Sequence, residues 1–128
     1  MQKKTCVTLG TVLAAIAVVL GAFGAHALKV TLEEAGQLEN WRTGVRYQMW
    51  HALALVAYGL HRGAASGDDS PGAWPAWCFV AGSLLFSGSI YCLCFGFLRP
   101  VMGPVTPLGG LLLICGWVGF ALQAARGK

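Results

Sequence analysis

Residues 5–28 read TCVTLGTVLAAIAVVLGAFGAHAL, and this stretch decides the fold class of the chain. It contains no Asp, Glu, Lys or Arg, and its apolar residues are continuous rather than alternating. A membrane-crossing helix needs roughly 20 mostly apolar residues, which this stretch supplies. Lys3 and Lys4 before it, and Ala25-His26-Ala27 near its end, also resemble a cleavable signal peptide. The apolar run is longer than an ordinary signal core, so we expect a retained helix.

Three further apolar stretches follow, at about residues 43–61, 77–97 and 107–125. Inside lipid every backbone N–H and C=O must be paired within the protein, which only helices and closed barrels achieve. A barrel would need more strands than this chain conveniently supplies, and the runs do not alternate. We therefore predict a single all-α domain over residues 1–128, an integral membrane bundle of four antiparallel transmembrane helices.

The composition agrees with a surface that faces lipid. The chain is 56% hydrophobic and 11% charged, whereas soluble domains carry about 25% charged residues. Its net charge of +4 comes from scattered basic residues. A nucleic acid would need a basic stripe, so we expect no such partner.

The basic residues give a weak indication of orientation. Four spans place both termini on one side, with Lys3, Lys4, Arg62, Arg126 and Lys128, opposite Lys29, Arg42, Arg46 and Arg99. Cytoplasmic loops carry an excess of Lys and Arg. This distribution favours termini that face the cytoplasm.

The connections between the spans contain several local signals. Thr31 and Glu34 fit a capping box, and the residues after them predict a short amphipathic helix on the membrane surface between the first two spans. The Gly-, Ser- and Asp-rich residues 62–72 predict an exposed loop. Thr106 is placed to cap the last helix, with Pro107 at its first position.

The chain contains 18 glycines, and many lie at helical spacing within the apolar stretches. Small residues let helix backbones approach closely in lipid, where apolar burial cannot drive association. The glycines predicted to lie between packed helices are Gly21, Gly82, Gly88, Gly109, Gly110 and Gly116.

Polar residues inside the spans form the one candidate functional site. His26 lies near the end of the first span, and Arg46, Tyr47 and His51 lie near the start of the second. A short connection joins these two ends, so we expect the four side chains to converge near one membrane face. Ser87 and Tyr91 lie on one face of the third helix and extend this polar cluster deeper.

Three interpretations of the cluster remain open. The two histidines could bind a haem or a metal, although no third ligand is evident. The cluster could instead bind an anionic lipid headgroup or a quinone head at the interface. In the structural interpretation, which we favour, its members hydrogen-bond one another and stabilise the bundle. We therefore predict no cofactor and no bound metal.

Other chemistry has little support in the sequence. The five cysteines, Cys6, Cys78, Cys92, Cys94 and Cys115, include no CxxC pair, and we interpret them as small apolar helix residues. The chain has no nucleophile elbow, P-loop, HExxH or dinucleotide fingerprint. We therefore predict no catalytic residue and no enzyme activity.

Four segments together resemble a known family. They are GAFGAH at residues 21–26, YQMWHALAL at 47–55, LFSGSIY at 85–91 and PVTPLGG at 104–110, followed by Gly116-Trp117. Nearly the whole chain resembles the family called domain of unknown function 423, which includes the vertebrate transmembrane protein 256 group. The resemblance implies a small multi-pass membrane protein, in bacteria one of the inner membrane, and implies no activity.

Two functions are compatible with these observations. The first is a structural or accessory membrane bundle that acts through membrane lipids, a membrane protein complex or a homo-oligomer. The second is a small carrier, channel or ligand-binding bundle that uses the polar cluster. A polar cavity that reaches from the cluster toward Ser87 would favour the second function, and we expect the first.

Overall fold

The computed structural model describes residues 1–64 and 72–127, which form five α-helices. They are α1 (Lys3–Ala25), α2 (Lys29–Glu34), α3 (Leu38–Ala64), α4 (Trp74–Cys94) and α5 (Arg99–Ala125). The described residues contain no strand. Helices α1, α4 and α5 are long and apolar enough to cross a membrane. The prediction of an all-α chain with several apolar helices is therefore confirmed, while the predicted loop at residues 62–72 lies largely outside the described residues.

The four long helices lie side by side in the order α1, α3, α4, α5. Close contacts show that neighbours run antiparallel. Gly10 lies against Ala52 and Gly24 against Trp41 in the α1–α3 pair. In the same way Gly44 lies against Ile90 and His51 near Phe79 in the α3–α4 pair, and Gly82 against Leu113 and Gly116 against Phe79 in the α4–α5 pair. The extensive contacts are those between neighbours in this order, and α3 meets α5 only slightly. In the described part of the chain the strongest contacts thus link the helices in a row, and the bundle of four transmembrane helices that we predicted is not confirmed.

Helix α3 occupies the interior of the row although it is the most polar long helix. It buries Gln48 and His51 between its neighbours and carries Glu39, Arg42 and Arg46 near its start. Its charged and polar residues keep it outside the group of helices that qualify as membrane spans by composition. Length and hydropathy therefore support three of the four predicted spans, and α3 is the exception.

The fifth helix begins eight residues before the predicted start at residue 107. Its first residues are Arg99 and Pro100, and Pro104 and Pro107 both lie inside it. A proline in the first turn costs nothing, because that N–H has no helical partner. Thr106 consequently does not cap the helix, which corrects our prediction. Its hydroxyl instead lies 2.6 Å from Ser89 Oγ and links α5 to α4.

The short helix α2 also differs in detail from its prediction. Leu28 precedes it, and no side chain makes a capping hydrogen bond there, so the Thr31 capping box is absent. Gly36 follows the helix with a φ of 67°, a left-handed conformation that glycine adopts without strain. Leu32 is fully buried and belongs to a cluster with Trp41 and Ile90. This contact holds α2 against the end of the α1–α3 pair.

At several glycines, atoms of a neighbouring helix leave no room for a side chain. An added Cβ would lie 2.6 Å from the Leu113 side chain at Gly82 and 2.8 Å from the Phe79 ring at Gly116, and at Gly109 it would overlap the backbone of Phe86. At Gly21 and Gly110 it would make ordinary contacts of 3.4 and 3.7 Å.

Gly88 differs from this group. An added Cβ there would meet no atom within 4 Å among the residues described. Gly88 therefore borders open space in the structure instead of a helix contact.

Candidate functional site

Polar side chains in the middle of the row connect α1, α3 and α4. Gln48 is 5% exposed. Its Nε2 donates a hydrogen bond to Leu13 O at 2.9 Å, and its Oε1 accepts one from the Tyr91 hydroxyl at 2.8 Å. The Ser87 hydroxyl donates to Gly44 O at 2.7 Å. Ser87 and Tyr91, which we placed in the polar cluster, therefore form hydrogen bonds between helices.

Hydrogen bonds between helices also occur toward both ends of the helix axes. Tyr58 on α3 donates to Gln123 Oε1 on α5 at 2.8 Å, and Gln123 Nε2 donates to Gly72 O at 3.0 Å. At the opposite end the Trp41 indole donates to Leu20 O at 2.9 Å. Polar groups thus connect different helices at several depths, and one of these bonds joins α3 to α5.

His51 lies among aromatic rings contributed by three helices. It is 6% exposed, and its Nδ1 lies 2.6 Å from Tyr47 O, one turn earlier on α3. A carbonyl can only accept, so this contact assigns the proton to Nδ1. The centroid of the His51 ring lies 6.2 Å from that of Phe79 and 6.1 Å from that of Trp117. His51 therefore faces α4 and α5.

His26 does not join His51. It is exposed directly after α1, in a shallow groove lined by its own segment, which includes Val19, Phe23 and Ala27. The register of the α1–α3 pair places Gly24 against Trp41. His51 is ten residues farther along α3, which is about 15 Å at 1.5 Å per residue. The structure thus separates the two histidines that we expected to converge.

Arg46 belongs to a third location, at the start of α3. It is exposed, and its guanidinium lies 3.7 Å from Glu39, which Arg42 contacts at 2.6 Å. The hydrogen bond from Arg42 lowers the pKa of the Glu39 carboxyl. The two arginines border a groove of about 200 Å³ between α1 and α3. Arg46 is therefore a surface group near the start of α3.

Tyr47 lies beside His51, and its aromatic ring packs against two other rings. Its ring stacks on that of Phe86 with centroids 4.5 Å apart, and the Trp50 ring lies 5.2 Å away. The predicted cluster is therefore divided into His26, Arg46, the Tyr47–His51 pair, and the hydrogen-bonded Ser87 and Tyr91. Sequence reasoning missed Gln48, although a buried amide inside an otherwise apolar stretch is itself a signal for a helix-to-helix hydrogen bond.

Comparison with known proteins gives a consistent result. Residues 20–110 match the family model described as protein of unknown function DUF423. The UPF0382 membrane protein YwdK of Bacillus subtilis is 38% identical over 96% of this chain and 98% of its own length. The UPF0382 membrane protein of Haemophilus influenzae is 36% identical over 99% and 98% of the two chains.

A eukaryotic relative is similar over less of the chain. The UPF0382 membrane protein C1782.12c of Schizosaccharomyces pombe is 39% identical over 80% of this chain and 86% of its own length. No solved structure matches the chain. The resemblance that the four sequence segments indicated is confirmed by these matches. The chain belongs to the family of uncharacterised membrane proteins described as protein of unknown function DUF423.

Proposed function

We propose that α3 crosses the membrane together with α1, α4 and α5, which gives four spans. Support comes from the packing of α3 between α1 and α4 along its length, from Gly59 beside Cys6 to Gly24 beside Trp41. A helix that lies antiparallel between two membrane-crossing helices shares their depth. Its polar groups are tolerated because Gln48 and His51 face protein.

This architecture places both termini on one side, which we assign to the cytoplasm of a bacterium, at the inner membrane. Single cysteines introduced at positions 2 and 127 of a cysteine-free variant would report the topology. Both should react with an impermeant maleimide only after lysis. Reaction of one terminus in intact cells would contradict the four-span arrangement, and reaction of both would reverse the orientation.

For the molecular role, we propose a structural or accessory membrane protein. The observation that carries this proposal is the use of polar groups between helices: Gln48, Ser87, Tyr91 and Tyr58 all bond to another helix. Such bonds stabilise helix pairs in lipid. The large apolar side chains on the outer faces of α1 and α5 remain available to lipid, to a membrane protein complex or to a second copy.

A photo-crosslinking experiment tests this role. A diazirine analogue of an aliphatic residue would replace Val18 on α1 or Ile114 on α5, which are 63% and 60% exposed. Leu55, which is fully buried, provides the matched control. A discrete protein adduct at an outward position, and none at Leu55, is expected. Lipid adducts alone at both outward positions would contradict action through a protein partner.

The alternative is a carrier or channel that uses His26, Arg46 and His51. It has less support for two reasons. His26 and His51 are separated by about 15 Å along the helix axes, from the rise per residue of α3. Arg46 pairs with Glu39 at the surface. Proteoliposomes compare the two functions directly. A structural protein leaves solute and proton leakage at the level of protein-free vesicles, whereas a carrier adds a flux that His51→Ala reduces.

A further inference from the structure

Two arginines line a groove on one flank of the α1–α3 pair. The groove has a volume of about 200 Å³, and Gly21 of α1 and Arg42, Val45 and Arg46 of α3 lie along it. An added Cβ at Gly21 would lie 3.4 Å from Val45 Cγ1, so these two residues approach closely. The side chains of Arg42 and Arg46 are 50% and 55% exposed. Both guanidinium groups are therefore accessible from outside the protein.

The groove has more positive charge than its acidic neighbour neutralises. Glu39 accepts a hydrogen bond of 2.6 Å from Arg42, whereas its Oε2 lies 3.7 Å from Arg46, beyond hydrogen-bonding distance. A guanidinium has five N–H donors, so the two arginines keep donors for a further acceptor. Among the described residues no acidic side chain lines the groove itself. Two arginines and one glutamate give a net charge of +1, which a single phosphodiester would neutralise.

The groove lies at the depth of lipid phosphates in the membrane placement proposed above. Helix α1 runs from Lys3 to Ala25, so its midpoint is Ala14, and Gly24 of the groove lies ten residues beyond that midpoint. At 1.5 Å per residue the separation is about 15 Å, which is half of the roughly 30 Å hydrocarbon core. The groove therefore lies at the boundary between acyl chains and headgroups, where tryptophans such as the groove residue Trp41 are common.

An apolar strip continues from the groove toward the middle of the membrane. Leu53 follows Arg46 by seven residues, so it lies on the same face of α3, about 10 Å deeper. Val18 has the same relation to the groove residue Ala25 on α1. Val18 and Leu53 are 63% and 55% exposed. An acyl chain can lie along this strip while its phosphate lies between the arginines, whereas a free phosphate ion would use the arginines alone.

The side chains and the volume suit a phosphate group. The planar guanidinium donates two parallel hydrogen bonds to phosphate oxygens, which makes arginine the preferred residue for this group. A cavity of about 150 Å³ holds a benzene molecule, and a phosphate has fewer heavy atoms than benzene. The groove of about 200 Å³ is therefore large enough for it.

We propose that this groove binds an anionic glycerophospholipid, with Arg42 and Arg46 donating hydrogen bonds to its phosphate and an acyl chain along Val18 and Leu53. Of the polar cluster predicted from the sequence, this site includes only Arg46. The proposal deepens the proposed function, because it names the class of lipid through which the protein acts, and it rests on the membrane placement of α1 and α3. Cysteine labelling of the termini tests that placement separately. Four-span labelling without lipid selectivity would overturn the lipid site and leave the membrane placement intact.

Native mass spectrometry of the protein in a mild non-ionic detergent provides the test. The protein would be titrated with dioleoylphosphatidylglycerol and, separately, with dioleoylphosphatidylcholine, which has the same acyl chains and a phosphate but no net charge. The first phosphatidylglycerol should bind with a Kd about fivefold lower than that of phosphatidylcholine, the effect expected for one unit of opposite charge near a membrane surface.

Three arginine variants form a matched set. Arg42→Gln and Arg46→Gln each remove one positive charge from the groove, whereas Arg99→Gln removes one from the exposed start of α5, at the same end of the helices. Each groove variant should raise the Kd for phosphatidylglycerol about fivefold, and Arg99→Gln should leave it unchanged. Glu39→Gln should lower this Kd, because it removes the carboxylate that competes for Arg42.

Several results would overturn the proposal. An equal Kd for the two lipids would do so, and an equal loss in Arg99→Gln and the groove variants would indicate attraction to the whole basic end instead of a site. Displacement of the lipid by inorganic phosphate at a matching concentration would replace the lipid with a free anion. Should Arg42→Gln unfold, as circular dichroism would show, Arg46→Gln decides the question, because Arg46 is not hydrogen-bonded to Glu39. Full retention of lipid selectivity in that variant would equally overturn the site.

Discussion

Gln48→Leu should destabilise the helix row measurably, because it removes two interhelical hydrogen bonds at once. The variant loses the bond from Nε2 to Leu13 O and the bond that Oε1 accepts from Tyr91. Hydrogen bonds between membrane helices contribute about 0.6 kcal/mol on average and at most about 1.7. The two bonds together then contribute about 1 kcal/mol, and the unpaired Tyr91 hydroxyl adds about 1–3 kcal/mol. The expected loss in unfolding free energy is about 2–4 kcal/mol.

The assay is reversible unfolding in mixed micelles with increasing SDS, followed by far-UV circular dichroism. Tyr91→Phe removes only the second bond and leaves Gln48 Oε1 without its donor, so its loss should be about 1.5–3.5 kcal/mol. A double-mutant cycle of the two variants isolates their mutual interaction. Asn40→Ala serves as a control, because its bond to Gln37 is exposed, and its effect should stay within about 0.5 kcal/mol. Equal stability of Gln48→Leu and the wild type would refute the reasoning.

Three further predictions follow from contacts described above. Gly116→Leu should lower the unfolding free energy by about 1–3 kcal/mol or prevent folding, because it overpacks the α4–α5 contact; a thermal unfolding scan in detergent measures this. Cysteines at Gln2 and Gly127 should label alike, and unequal labelling in intact cells would contradict an even number of spans. The pKa of Glu39 is lowered by Arg42, so its contribution to stability is present above the unfolded carboxyl pKa and lost as pH falls through the folded one. Glu39→Gln should remove that acid-side decrease, which unfolding midpoints across the acidic range would show.

The sequence predicts the all-α fold class and its long apolar helices well, because the length and continuous hydropathy of a segment are enough to identify such a helix. Residues 5–28 required no knowledge of neighbours, and α1 formed almost as predicted. The start of α5 required more, since Pro104 and Pro107 resemble a helix boundary in a soluble protein. In membrane helices such prolines are tolerated when neighbouring groups satisfy the freed carbonyls.

The arrangement of the candidate site was not accessible in the same way. Spacing along a helix indicates which residues share a face, but it does not give the register between two helices. That register depends on close approaches such as Gly24 against Trp41, which separate His26 from His51. The Gln48 amide was a signal for an interhelical hydrogen bond, but its partner, Leu13 O on α1, could not be predicted, because a backbone carbonyl has no sequence signature.

The row arrangement implies a graded resistance to local opening. In the described residues α1 is held mainly by α3 and α5 mainly by α4, whereas the central pair has neighbours on both sides. Either outer helix can therefore detach while the hydrogen bond of Ser87 to Gly44 O between α3 and α4 remains intact. Backbone amides of α3 and α4 should exchange with deuterium more slowly than those of α1 and α5. In such an arrangement an outer helix can pack against another protein while α3 and α4 stay packed against each other.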